Sequence, residues 1–490
     1  MGLSGVGRRS RSQALAVVLA GVAAILPFGG EVRAAAQGLT FSSVWYVTLP
    51  DGAPVALSSP DEATLAGAPA VVVGDQGGHV YALSLAKGQL VPGWPASTGG
   101  VPVESTPSAA ALTPGSPDDT IFVGAGTAAK PHEGDYEAFD PDGARKWFVS
   151  VHNPGTTYVS GVVASLAVGD LQGGLDVVAP SVGEQQDAIN ALTGAVLPGF
   201  PWFQGAADYA TPALADLYGT GKLEIVNGGA QAAGLAYKTL YTQGGHVRVL
   251  SRTGNQGFSQ PNGGQICGYK PDESVESSPA VGPFLAGGAE GIAVGTGNYW
   301  PGAPQAHMVF AFTSHCRLVW AHRLNGLTTD SPALANLSGN RSLDVVEGTN
   351  DEHGGGSVYA LNGATGALMW NQAAMGEVIG GVVTADLGAG YQDVVVASTG
   401  GAEVLDGKTG EVLATVERGV GLQNCALVTD DPNGEVGITV AGHGRDDHGV
   451  VQHYELVSSS GAKVDQAGAW PMFHHDPYLS GNSQETVPSG

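Results

Sequence analysis

Ser331-Pro332-Ala333-Leu334-Ala335-Asn336-Leu337 is followed by Leu343-Asp344-Val345-Val346-Glu347-Gly348, by Gly356-Ser357-Val358-Tyr359-Ala360-Leu361-Asn362, and, after Ala364-Thr365-Gly366, by Leu368-Met369-Trp370. Four short apolar or alternating runs are separated by Gly, Asn, Asp and Thr-Gly turns, the signature of a small antiparallel sheet. The same order recurs along the chain. Thr211-Pro212-Ala213-Leu214 leads into Leu223-Glu224-Ile225-Val226, and Ser278-Pro279-Ala280-Val281 leads into Gly291-Ile292-Ala293-Val294. Val383-Thr384-Ala385-Asp386 leads into Asp393-Val394-Val395-Val396, and shorter echoes begin near Pro60, Pro107, Ser165 and Cys425.

Eight units emerge. Pro60 to Cys425 spans 365 residues in seven steps, or about 52 per step, close to the period of a four-stranded propeller blade. No stretch of helical period interrupts the units, so a βαβ architecture is excluded. The expected fold is all-β: an eight-bladed β-propeller of four-stranded antiparallel blades occupying residues 37–480 as one domain. Seven blades plus an irregular sheet is the alternative. Phe41 to Leu49 reads as a lone strand ahead of the first full unit. It is expected to complete the last blade and close the ring, removing an exposed edge. Residues 481–490 are expected to form a flexible tail.

Composition agrees. The chain has 490 residues, 77 of them Gly, and 43% are apolar. Turns with positive φ explain a Gly content about twice the ordinary usage. Lys and Arg number 20 against 45 Asp and Glu, a net charge of −25, so no basic surface suits nucleic acid. Arg8, Arg9 and Arg11 precede an uncharged run from Ala14 to Phe28 and an Ala34-Ala35-Ala36 cleavage pattern. This predicts a signal peptide over 1–36, export, and no membrane span after cleavage. Cleavage removes four Arg and one Glu, taking the charge from −25 to −28. Of three cysteines, Cys267 and Cys316 flank one repeat and form the candidate disulfide, while Cys425 sits in an apolar strand pattern and reads as a small buried hydrophobe.

Asn362-Gly363-Ala364-Thr365-Gly366-Ala367-Leu368-Met369-Trp370 resembles the docking motif of quinoprotein-like (PQQ-like) propellers, and Asp216 to Val226 resembles FG-GAP or VCBS repeats. Gly93-Trp94-Pro95, Gly199-Phe200-Pro201 and the closing Trp470-Pro471-Met472-Phe473-His474-His475-Asp476-Pro477 resemble elements of such bacterial repeat proteins. The resemblance implies a fold more than an activity. FG-GAP loops often carry calcium, which would fall here on Asp216 and Glu224 or on Asn336 and Asp344. The central carboxylates of that loop pattern are missing, and a side chain capping its own turn is the alternative. Gly295-Thr296-Gly297-Asn298 resembles a segment of quinoprotein alcohol dehydrogenases, but the adjacent Cys pair of those enzymes and a C-x-x-C-H haem motif are absent. No resident cofactor is predicted; calcium and pyrroloquinoline quinone are the two the resemblance could bring.

Asp351, Glu352 and His353 occupy the same place in their unit as Asp446, Asp447 and His448 in theirs, between the second and third strands, and His132-Glu133 occupies a similar place. Such loops emerge on one face of a propeller. Imidazole with carboxylate could bind a ligand or metal there; a solvated acidic rim is the alternative. Tyr299 and Trp300 in another such loop could stack on a sugar or anchor a partner. The sequence therefore reads as a secreted binding protein recognising a protein, glycan or envelope ligand. The rival reading is a PQQ-dependent oxidoreductase or a metal-assisted hydrolase or lyase on the same face.

Overall fold

The computed structural model describes residues 39–113, 115–128, 134–151, 160–203, 207–230, 244–254, 264–300, 302–329, 331–444, 446–457 and 469–484. The proposed signal peptide, His132-Glu133 and residues 485–490 lie outside them.

Eight four-stranded antiparallel sheets follow one another, and no helix occurs among the described residues. Their first strands, Asp61–Leu65, Ser108–Ala110, Ala167–Asp170, Ala213–Ala215, Ala280–Leu285, Ala333–Ala335, Val382–Ala385 and Leu427–Asp430, define blades 1 to 8. In blades 1 to 7 the strands pair in sequence order. Blade 8 takes its fourth strand from the other end of the chain: Phe41–Thr48 pairs antiparallel with Gly449–Leu456, from Phe41 opposite Leu456 to Thr48 opposite Val450. The expected eight blades are observed rather than the seven-bladed alternative, with the ring closed as expected.

Burial tracks position within a blade. Middle strands such as Asp344–Gly348 and Ser357–Leu361 are buried throughout, because neighbouring blades cover both faces and permit continuous apolar runs. In the outermost strands Leu318–Arg323 and Leu368–Ala373, only Trp320 and Trp370 are buried.

Those tryptophans dock one blade on the next. The Trp320 indole N–H donates to Gly363 O at 2.8 Å and Trp370 to Gly407 O at 2.8 Å. Trp45 bonds Leu85 O, Trp94 Pro141 O and Trp147 Ala191 O in the same way. Gly366 shows why the Thr-Gly turn is needed. Its φ is +69°, and a Cβ there would lie 2.6 Å from the Trp320 ring, so only Gly permits both the turn and the indole lying on it. The resemblance placed this motif correctly.

The seam between blades 4 and 5 has a substitute. Cys267, in the outer strand Gln265–Tyr269, is bonded to Cys316, in the turn before Leu318–Arg323. Cys316 has positive φ (55°), as Gly366 has in the next blade, and the Tyr218 hydroxyl bonds Ser314 O at 3.1 Å. A covalent link plus a phenol thus replaces an indole packed on glycine. Cys425 is buried and unbridged.

The end of the chain crosses the central channel. Backbone bonds tie Trp470 to Thr384, Pro471 O to Val428, Pro477 O to Ala109, Tyr478 O to Val168, Ser480 O to Leu214 and Gly481 O to Val281. One segment therefore satisfies channel-facing edges of the first strands of blades 7, 8, 2, 3, 4 and 5. His474, completely buried, sits between Leu479 O (2.7 Å) and Pro279 O (3.0 Å). Burial lowers its pKa to about 4, against the raising effect of those carbonyls. The expected boundary at Ser480 falls inside this segment: Asn482 bridges Val281 and Ser483 N–H donates to Val281 O.

Candidate functional site

The loops entering the first strands and the turns between second and third strands share one face of the ring, because successive strands alternate in direction. On that face the chain places two residues of each unit in two concentric rings around the channel.

The deeper ring is made of the residues next to the first strands: Ser59, Thr106, Ser165, Thr211, Ser278, Ser331, Gly381 and Cys425. Its hydroxyls join the blades. Ser59 N–H donates to Thr106 Oγ1 (2.9 Å), Thr106 N–H to Ser165 Oγ (2.8 Å), Ser165 N–H to Thr211 Oγ1 (2.9 Å) and Thr211 N–H to Ser278 Oγ (3.0 Å). The run continues into the last blade, where Cys425 N–H donates to Ser59 Oγ at 3.0 Å. Ser331 pairs with Gly381 through a backbone bridge, and the Cys425 thiol donates to Gly380 O. Buried amides demand partners, and a small hydroxyl in the neighbouring blade supplies one here.

The shallower ring lies two residues earlier: Leu57, Glu104, Val163, Tyr209, Glu276, Thr329, Ile379 and Gln423. These side chains line a cavity of about 230 Å³ together with Phe473 of the crossing segment. The cavity is a blind funnel rather than a through-channel. Burial and then the charge of Glu273 push Glu276 up to about 7. Burial also raises Glu104, with Gln76 acting in the opposite direction. Burial and the Glu276 charge take the Tyr209 phenol to about 12. The funnel combines the aliphatic Leu57, Val163 and Ile379 and the Phe473 ring with two carboxyl groups, one phenol, Thr329 and Gln423, an arrangement suited to a cationic or hydrogen-bond-donating group.

The loop residues expected to form a site lie on the same face, farther out. Asp351 Oδ1 accepts the N–H groups of His353 (2.9 Å) and Gly355 (2.8 Å), and Glu352 accepts from Asn298 Nδ2 at 3.1 Å. His448 Nδ1 lies 3.0 Å from Asp446 Oδ2, with both side chains exposed; Asp447 is exposed with a φ of 65°. The first group belongs to blade 6 and the second to blade 8, with blade 7 between them. Tyr299 and Trp300 are anchored by their N–H groups on the Glu273 carboxylate and meet edge to face at 5.0 Å. Tyr299 is half exposed. The Asn298–Glu352 bond joins this loop to the blade 6 loop, so the structure brings Tyr299, Trp300, Asp351, Glu352 and His353 into one neighbourhood and leaves Asp446, Asp447 and His448 in another.

The calcium candidates are on the opposite face and cap their own turns. Asp216 accepts the N–H groups of Thr220 and Gly221, and Glu224 accepts that of Leu217. Asn336 Oδ1 accepts from Arg341 N, and Asp344 accepts from Gly363 N, Asn362 Nδ2 and Ser338 Oγ. In Asp216 and Asp344 both carboxylate oxygens already accept hydrogen bonds.

Among the described residues, two other clusters bring His and carboxylate ligand atoms together: Asp51, Asp75 and His79 in one, Asp431, His453 and Glu455 in the other. The sequence reading missed both. In the second, His453 is buried with Nε2 2.8 Å from Asp431 Oδ2 and Nδ1 2.9 Å from Thr439 Oγ1, under the stacked Trp45 ring. Both ring nitrogens have partners, so this is a structural pair beneath the closing strand. Spacing gave no signal for it, since its ligands come from a turn and from the strand that pairs with the amino terminus.

No protein-family model matches the chain, and no curated protein sequence matches it. Among solved structures, BamB from Moraxella catarrhalis superposes with a TM-score of 0.55 at 14% identity, covering 85% of this chain and all of its own. A quinohemoprotein alcohol dehydrogenase from Pseudomonas putida HK5 does so with a TM-score of 0.55 at 13% identity, covering 86% of this chain and 77% of its own. A europium-containing methanol dehydrogenase gives 0.54 at 11% identity, over 85% and 93%. The fold shared with those dehydrogenases raises the question of whether a quinone fits. Pyrroloquinoline quinone is a tricarboxylate; the funnel presents Glu104 and Glu276, and among the described residues its lining contains no Lys, Arg or Trp. Gly297 and Asn298 are committed to Ser274 O and Glu352. The residues present do not fit that cofactor, and the likeness is one of fold: the chain is an eight-bladed propeller of the architecture found in BamB and the quinoprotein dehydrogenases.

Proposed function

We propose that this chain is a binding protein, working after export, that receives a basic side chain of a protein ligand in the funnel while the surrounding loops contact the ligand's surface. The observation that carries this reading is the shallower ring. Eight equivalent positions, one per blade, carry unlike side chains, two of them carboxyl groups held in apolar surroundings above a closed channel. A pocket with few convergent polar groups on an apolar lining is the general form of a recognition site, and buried carboxylates gain most by pairing with a cation. Tyr299 and Trp300 supply aromatic contact area at the rim. The blind floor and acidic lining favour binding over the quinone-dependent alternative.

The test is binding of labelled lysine-rich and neutral peptides and of neutral oligosaccharides to the native chain, to the Glu104→Gln/Glu276→Gln variant, and to an Asp351→Asn/Asp446→Asn variant. The expected result is saturable binding of lysine-rich peptides that the funnel variant loses by about ten-fold or more, and the rim variant by much less. Equal loss in both variants, or preference for the oligosaccharides, would overturn the funnel assignment.

A further inference from the structure

The Asp51, Asp75 and His79 cluster is built differently from the saturated pair under the closing strand. Asp75 opens the turn Asp75-Gln76-Gly77-Gly78-His79 and is completely buried. Its Oδ1 accepts the N–H groups of Gly77 (2.9 Å) and His79 (2.8 Å), which locks the carboxylate plane. Its Oδ2 is buried without a hydrogen-bond partner and lies 3.6 Å from His79 Nδ1. Asp51 arrives from the linker between the closing strand and blade 1. Its Oδ1 accepts Ala53 N–H at 3.2 Å, and its Oδ2 sits 2.7 Å from the same His79 Nδ1. Gly77 makes room for that approach, because a Cβ on it would lie 2.4 Å from Asp51 Oδ2. Two carboxylates thus use one oxygen each on backbone donors and turn the other toward one imidazole nitrogen, with all three ligand atoms within 4.8 Å of one another.

We propose that Asp51, Asp75 and His79 bind a divalent transition-metal ion that clamps the ring-closing linker onto blade 1. Bonds of about 2.0–2.2 Å to N and O ligands require ligand atoms roughly 3.3 Å apart, so the observed spacings need only small adjustment. A mixed imidazole and carboxylate set suits zinc or manganese better than calcium, which takes six or more oxygens. Three protein ligands leave positions for water, and His79, about one-third exposed, gives solvent access to the site. The backbone donors on each Oδ1 act as the orienting outer shell of such a centre. The linker itself is held by Leu49 N–H to Gly449 O (2.8 Å), Gly449 N–H to Ala53 O (3.0 Å) and Gln76 N–H to Pro54 O (3.0 Å), and by Asn424 Nδ2 to Ala56 O and Ser58 O; the ion would add a further tie where the two ends of the ring meet.

The purified full chain, stripped with chelator and dialysed, is titrated with zinc, manganese and calcium by calorimetry, with thermal melts of each form. One equivalent of zinc or manganese is expected, with a higher Tm and weak or no calcium binding. His79→Ala and Asp75→Asn should each lower affinity by at least about ten-fold, whereas His453→Gln should leave the stoichiometry unchanged. Cobalt added to the unmodified chain should give a visible d–d spectrum at one equivalent, a readout that stands even if the buried Asp75 variant folds poorly. Absence of stoichiometric binding, retention of it in His79→Ala, or tighter binding of calcium than zinc overturns the proposal. None of these outcomes bears on the funnel, which lies in separate residues.

Discussion

The two rings around the channel mouth are separated by two positions in each unit, yet they differ in chemistry. The deeper one repeats a small hydroxyl at Ser59, Thr106, Ser165, Thr211 and Ser278, and the shallower one runs Leu57, Glu104, Val163, Tyr209 and Glu276 without repeating itself between neighbours. Repetition marks a position with the same physical task in several blades, here a partner for the preceding blade's buried N–H. Variety marks a position released from that task. The comparison separates scaffold from the proposed recognition surface, and the crossing segment belongs with the scaffold because it satisfies strand edges.

The harshest way to break the scaffold side is at Trp470, a fully buried indole where the crossing segment meets blades 7 and 8. Trp470→Ala should cost about 3–5 kcal/mol in denaturant unfolding. A loss below about 1 kcal/mol would show that the segment merely occupies the channel. A smaller and more specific probe is Thr106→Val. Removing Oγ1 leaves the buried Ser59 N–H without its partner, with an expected cost of about 1–3 kcal/mol, and Thr106→Ser should recover most of it. If Val and Ser variants unfold alike, the hydroxyl ring is not what joins the blades.

How much of this was legible in the sequence differs between the rings. Strand runs, the Thr-Gly turn and the partner Trp repeat at fixed spacing, so the blade count, the docking seams and the Cys267–Cys316 link could be read. The closing strand could be read from its likeness to Leu318-Val319-Trp320. The crossing segment could not, because its hydrogen bonds go to single positions on many strands, and no periodic pattern records that. Rim loops were visible as acidic and His-bearing, but not that Asp351 spends its carboxylate on its own turn. The funnel was missed because its eight residues mix aliphatic, acidic, phenolic, hydroxyl and amide side chains; the signal was the two-residue offset from the Ser/Thr-Pro present in five of the units, not residue type. Asp51, Asp75 and His79 are ordinary turn residues in sequence, brought together only by the path from closing strand to first blade.

The smallest expected effect tests the recognition ring through pH. Glu276 has a folded pKa of about 7 against an ordinary 4.5, so the folded state holds a proton that the unfolded state has released between those values. Stability from this group is fully present below about pH 4.5, declines as pH rises, and is lost above about 7. Glu62, Asp187 and Glu290 are raised by burial in the same direction, each to about 7. Two buried histidines oppose them: His246 is lowered to about 2 and His474 to about 4, so their contribution is lost as pH falls below the ordinary 6.5. The difference between native chain and Glu276→Gln isolates one group from this background. The variant should match the native Tm near pH 5 and exceed it at pH 8 by on the order of 1 °C, because Gln has no charge to strand in the funnel. The corresponding change at a scaffold position such as Asp216→Asn, where against burial the Thr220 and Gly221 N–H groups hold the carboxylate below its ordinary range, should lower stability instead. Opposite signs for the two carboxylate-to-amide changes are what the comparison requires: a buried carboxylate without backbone donors burdens the empty fold, and one held by backbone donors supports it.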